Sequence, residues 1–272
     1  MVNLKNRLIS YMKEDWQFPS DIDTDILADE MKSALANKDG ILRDRLVLVG
    51  FDKLILSGSV SDKKCRDIFD DLVCDKFLLN GLGKECDDSV FGRAFSGYGI
   101  LTLLEYNDNK VKKIFTNEDV LTAFQAILKC FIYEKDLRGF VDGKGWAHSI
   151  AHNADCLATL TSYDILGYNE LTAVLYAVKE RVYQGHSAII SDYDRLSQPV
   201  LNVIERGIIT EQELIDWITD ISTYKITGCQ DEDVRNIMSR CEFLIFLRFK
   251  INDKHPYLNN HVSSKIIELM EL

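Results

Sequence analysis

Residues 41–56 read ILRDRLVLVGFDKLIL, and the spacing of their apolar positions decides the fold class. Leu42, Leu46, Val49, Lys53 and Leu56 fall three or four apart, and Val47, Phe51, Leu54 and Ile55 widen that row to a broad stripe. A period near 3.6 without strand-like alternation predicts a helix buried over much of its surface. Outward from this segment the same spacing recurs at approximately 3–14, 21–37, 62–79, 89–106, 117–134, 145–162, 169–184, 192–206, 211–219, 232–251 and 260–271. Short punctuators separate the segments, among them Lys38-Asp39-Gly40, Ser57-Gly58-Ser59, Asn80-Gly81-Leu82-Gly83 and Thr227-Gly228.

Helix starts are marked too. Thr116 with Asp119, and Ser191 with Asp194, have the spacing of a capping box. No strand hairpin competes with the helical pattern. Helices joined by short loops must lie beside their neighbours, so the expected fold is all-α, with antiparallel helix pairs forming a HEAT-like α-solenoid or a helical toroid. No strict repeat of ~40 residues is visible. The expected organisation is one helical domain over 1–272, with N-terminal helices in 1–40 and its only candidate seam at Gly167-Tyr168.

Composition narrows the function classes. The 272 residues are 46% hydrophobic and 28% charged, which suits a globular core and not a disordered chain. Lys and Arg total 32 against 43 Asp and Glu, a formal charge of −11, so nonspecific attraction to nucleic acid or an anionic membrane is disfavoured. The seven cysteines include no Cys-x-x-Cys pair and read as reduced thiols. Charges interrupt the apolar residues of the N-terminus, and no run approaches the ~20 apolar residues of a membrane span. The expectation is a soluble, cytoplasmic protein.

One stretch departs from the plain amphipathic pattern: Arg138-Gly-Phe-Val-Asp142-Gly-Lys-Gly-Trp146-Ala-His148-Ser-Ile-Ala-His152-Asn-Ala-Asp155. On a helix of 100° per residue with His148 at zero, His152, Asp155, Thr159 and Ser162 all fall within about 40° of it. The opposite face carries Trp146, Ile150, Ala154 and Leu157 and is expected to enter the core. Such a stripe is either the solvated side of the helix or the lining of a polar cleft, and its short side chains suit a cleft better than open water.

In that cleft Arg93, Arg138, Asp142, Trp146 and His148 are candidate ligand-binding residues. Arg93 and Arg138 are equally explained as ion-pair residues. His148 and His152 have the spacing of two imidazole ligands, so a divalent metal ion is an expected cofactor of one reading, although Ser149 excludes a His-Glu-x-x-His protease motif. Asp155, ~10 Å along the axis from His148, is not an obvious third ligand. Without metal, Asp155 orients His152 as a general base, and these two are the candidate catalytic residues. No Gly-x-Ser-x-Gly elbow supplies a nucleophile. Gly143-Lys144-Gly145, just before the expected helix, offers a weak anion cradle.

The stretches Ile41-Leu-Arg-Asp44, Gly81-Leu-Gly-Lys84, Asp88-Ser-Val-Phe-Gly-Arg93-Ala-Phe-Ser96 and Asp136 to Asp155 resemble the bacterial domain-of-unknown-function family 2785 over roughly residues 40–250. Departures are small: Gly92-Arg93-Ala94 stands in place of an Arg-Ser pair, and Asn153 in place of a small residue. The resemblance implies a cytoplasmic, all-helical protein and transfers no catalytic assignment. The expected function is therefore binding of a small molecule or a protein partner in the polar cleft, with a metal-assisted or His-Asp hydrolase-like enzyme in the same cleft as the alternative.

Overall fold

The computed structural model describes residues 3–184 and 190–272. Helices occupy 69% of the described residues and strands 2%, so the all-α class holds. The contacts gather residues 1–156 and 157–272 into two compact units.

The first unit contains α1 (Leu4–Lys13), α2 (Thr24–Ala34), a π-helical segment (Ile41–Val47), α3 (Leu48–Leu56), α4 (Asp62–Leu72), α5 (Ser89–Asp108), α6 (Asn117–Tyr133), strands β1 (Phe140–Val141) and β2 (Gly145–Trp146), and most of α7 (Ser149–Thr161). Side chains fix several of the helix starts. Asn3, Asp23 and Ser61 each accept the backbone N–H three residues on. Thr116 and Asp119 form the reciprocal capping box that their spacing predicts. The side chain of Ser191, on which the second expected cap rests, is not among those described.

The core of this unit is built on α5, which is buried on several faces through Phe91, Phe95, Ile100, Leu103 and Leu104. Gly97 lets α7 close on it, since a Cβ there would stand 2.5 Å from Asn153 Oδ1. The second unit holds α8 (Tyr168–Tyr183), α9 (Ile190–Arg206), α10 (Glu211–Ser222), α11 (Gln230–Ile251), a 3₁₀ turn (Asn252–Lys254) and α12 (Pro256–Met270). Its core centres on Phe243, Leu244 and Leu247 of α11, with Trp217 of α10 edge-on to Phe243 at 6.0 Å.

Three local expectations need correction, and all bear on the site. Residues 41–47 form i→i+5 turns, so the 41–56 segment is π-helical before it is α-helical. Residues 140–146 form a two-stranded antiparallel hairpin with Phe140 opposite Trp146 and Val141 opposite Gly145. Gly143 (φ 70°) and Gly145 (φ 82°) belong to that hairpin, where they permit its tight turn instead of cradling an anion ahead of a helix. Finally, α7 starts at Ser149, with His148 O accepting the His152 N–H at 3.0 Å. His148 itself sits at φ 49°, outside the helix, so the angular reckoning that took it as zero does not apply.

No disulfide joins any of the seven cysteines, of which Cys65, Cys130 and Cys156 are buried. Among the described residues no helix is long and apolar enough to cross a membrane.

Candidate functional site: a cleft against a clamped hairpin

The first unit contains a cleft of about 630 Å³ where the hairpin meets the start of the π-helical segment. Ile41 and Arg45 line one side, Phe140 and Trp146 the other, with Asp39, Asp44 and three glycines between them. Trp146 is 40% exposed, Phe140 60% and Ile41 57%, an unusual concentration of open apolar surface for so short a stretch. Trp146 therefore does not enter the core, as its expected place on a helix implied. It lies on a strand, with its ring edge-to-face with Phe140 at 5.2 Å.

Two adjacent charged residues hold the hairpin in place. The Arg43 guanidinium is fully buried and lies 4.0 Å from the Phe91 ring centroid and 4.8 Å from that of Phe95. It donates to the carbonyls of Asn37 (2.6 Å), Lys144 (2.7 Å) and Trp146 (3.0 Å). Asp44 accepts the Trp146 N–H at 2.9 Å and pairs with Arg43 at 2.8 Å. Burial pushes the Asp44 carboxyl up from its usual range, against the opposing pull of the Trp146 amide and Arg43. Lys144, on the hairpin turn, donates to both oxygens of Asp88 at 2.7 and 2.8 Å. Beneath the strands, Ala147 and Val141 pack on Val90 and Phe91.

The expected ligand-binding arginines are committed elsewhere. Arg93 is fully buried and grips Glu134 through two parallel bonds of 2.6 and 2.8 Å, while also donating to Asn80 O and Ser89 Oγ. Glu134 further accepts from Ser149 Oγ (2.8 Å) and the amides of Lys135 and Asp136 (3.0 Å each). Arg138 forks onto the buried Asp136 carboxylate at 2.7 and 2.6 Å. Asp142 is exposed in the hairpin turn.

The two histidines continue inward from Trp146. Its ring meets His148 at 4.4 Å between centroids, His148 lies 6.2 Å from His152, and His152 packs on Phe95 (5.2 Å) and Tyr98 (5.4 Å). His152 is 8% exposed and His148 partly buried, so neither ring faces open water. Tyr98 donates to Asp52 at 2.5 Å, and Thr102 donates to the same carboxyl. Burial raises the Asp52 pKa, and burial followed by Asp52 raises that of Tyr98. Asp155 is partly buried and adds its charge to the field on Tyr98. Trp146 lines the cleft, beside Gly143 and Gly145 of the expected anion cradle; Arg93, Arg138, Asp142, His148, His152 and Asp155 do not. Among the described residues no group of three or more His, Cys, Asp and Glu side chains stands together to hold a metal ion.

Residues 78–249, well over half of the chain, match the family described as Protein of unknown function (DUF2785). The chain belongs to DUF2785. The matched span takes in α5, α6, the hairpin and α7 of this DUF2785 protein, and leaves the 39–45 wall of the cleft outside. No curated protein and no solved structure matches the chain.

Sequence reasoning passed over Arg43, Asp44 and Arg45 as site residues. The available signal was a charged pair in the middle of an apolar stripe, since a charge at a core-facing position requires a partner. Phe140 was concealed by the reading of its neighbourhood as the approach to a helix.

Proposed function

We propose that this DUF2785 protein binds a small ligand in the cleft between the π-helical segment and the hairpin, with the indole of Trp146 as its main contact surface. The exposure of Trp146 on a strand clamped by Arg43 and Asp44 carries this reading. A rigid, open aromatic ring makes apolar contact at little entropic cost, because nothing has to be ordered when the ligand arrives. A volume of about 630 Å³ is in the range of small-molecule sites and small for a folded partner.

The proposal includes the helical layout. Neighbours α8 and α9, α10 and α11, and α11 and α12 pack together, as do α8 and α10, α9 and α11, and α10 and α12. Contact at both spacings supports stacked helical hairpins of the HEAT kind in the second unit, where α8 also packs on α11.

The test is a thermal-shift screen of metabolites, with each hit repeated on Trp146→Ala. A ligand that stabilises the native chain and loses at least tenfold in affinity with the variant is the expected result. Hits that bind both proteins equally, at unchanged variant stability, would overturn the assignment.

A further inference from the structure

The side chains around Trp146 also determine the charge of what the cleft accepts. We infer that the ligand is a planar aromatic molecule bearing one anionic group, a carboxylate or a phosphate, with its ring against Trp146 and Phe140 and its anion on Arg45. This rests on the cleft being a binding site at all.

Two of the lining residues are acidic, and the chain as a whole is strongly negative, so an organic cation stacked on Trp146 is the obvious alternative. Neither carboxylate is available to it. Asp39 is paired with Lys5 and accepts the amides of Ile41 (3.0 Å) and Leu42 (3.1 Å). Asp44 Oδ2 accepts the Trp146 N–H, and its Oδ1, which makes no hydrogen bond, is shielded from solvent and faces the Arg43 charge at 2.8 Å.

The nearby cations are equally occupied, with one exception. Arg43 is buried beneath the hairpin, while Lys144 and Lys38 share Asp88 at 2.7 and 2.9 Å. Arg45 lines the cleft, is exposed, and makes no hydrogen bond or ion pair with any described residue. Its charge acts through space on Asp44. The uncommitted charge facing the cleft is thus positive, and a guanidinium offers the planar fork that matches a carboxylate or phosphate. Exposed rings on Trp146 and Phe140, with Ile41 opposite, supply the apolar surface for the ring of the same ligand.

Three probes sharing one ring separate the possibilities: 2-naphthoate, 2-naphthyl phosphate and protonated 2-naphthylmethylamine, titrated calorimetrically into the full chain at low salt. At least one of the two anions should bind ten times or more tightly than the amine, and the tighter of them assigns the anionic group. That anion should weaken about tenfold in Arg45→Ala, be largely retained in Arg45→Lys, and be lost in Trp146→Ala. Arg45 is exposed and unpaired, so the unfolding midpoint of its variants should match that of the native chain.

Amine binding that equals or exceeds that of the anions, still abolished by Trp146→Ala, would overturn the ligand class and leave the cleft standing. Anion binding unchanged in Arg45→Ala would do the same. Absence of binding by all three probes, or binding indifferent to Trp146→Ala, would overturn both the class and the cleft.

Discussion

Arg43→Met is the most demanding test of how the cleft is held. Methionine is of similar length and apolar, so the substitution removes charge and hydrogen bonds while keeping much of the packing on Phe91 and Phe95. Three carbonyls lose a charged donor, at about 1.5–3 kcal/mol each, a gross loss of roughly 4–9 kcal/mol. Against this, the variant no longer desolvates a guanidinium, which recovers several kcal/mol, but it leaves the Asp44 carboxylate half-buried without its counter-charge. The expected net cost is about 3–5 kcal/mol, the range for breaking a buried pair by removing one partner.

Because two compact units share the chain, hydrogen exchange is a better readout than a global midpoint. The amides of Trp146, Ala147 and His148, bonded to Asp44, Gly139 and Arg138, report on the hairpin directly. At about 1.4 kcal/mol per decade, their protection should fall by roughly two to three and a half orders of magnitude or to the floor set by local opening, with α11 unaffected. In the Arg43→Met background, Asp44→Asn should cost less than it does alone, since the carboxylate no longer has its counter-charge. Protection within threefold of the native value, with additive effects of the two substitutions, would refute the clamp.

Gly145→Ala should destabilise by about 1–3 kcal/mol and Gly143→Ala by less, because a Cβ at 145 would stand 2.3 Å from Asp44 Oδ2 while one at 143 meets open space; equal losses in urea unfolding would count against the close approach. Lys144, and secondarily Lys38, draw the Asp88 carboxyl down to about 2. Its folded value lies below its unfolded one, so the stability it contributes is present above about pH 4 and lost as pH falls through about 2. The advantage of the native chain over Asp88→Asn should shrink across that window, and a flat difference would contradict it. Arg93→Met should cost about 3–5 kcal/mol by stranding Glu134 in the interior, and Arg93→Lys should recover only part, since an ammonium cannot make two parallel bonds; full recovery in thermal unfolding would show that charge alone suffices.

Most of the helical architecture was legible because its signals are local. Apolar spacing located α5, α6 and α11 to within two residues, and the Thr116–Asp119 cap appears as its spacing predicts. The site was legible only at Trp146. A strand of two residues contains no alternation to detect, so Gly145-Trp146 reads as the start of the helix that follows and Phe140-Val141 as its approach. The π turn at 41–47 escaped notice because its apolar spacing reads like that of an α-helix. Arg43 stands out in its stripe, yet its partners Lys144 and Trp146 lie more than a hundred residues away, a distance that no local pattern bridges.

The hairpin also explains why a tryptophan stays open in a chain with ample core. A two-stranded ribbon is marginal alone, and its buried backbone groups must find partners. In a larger sheet a third strand would provide them. Here side chains do: Arg43 takes the carbonyls of residues 144 and 146, and Asp44 takes the N–H of 146. Both backbone groups of Trp146 are therefore satisfied by consecutive residues of the π-helical turn. Apolar replacements of the pair would pack, but would leave those groups without partners, so the desolvation cost of the charges is offset by what they bond. With its backbone held from that side, the Trp146 ring need not be buried for the strand to stay in place, and it lines the cleft beside Phe140. The exposure of the indole follows from how the strand is anchored.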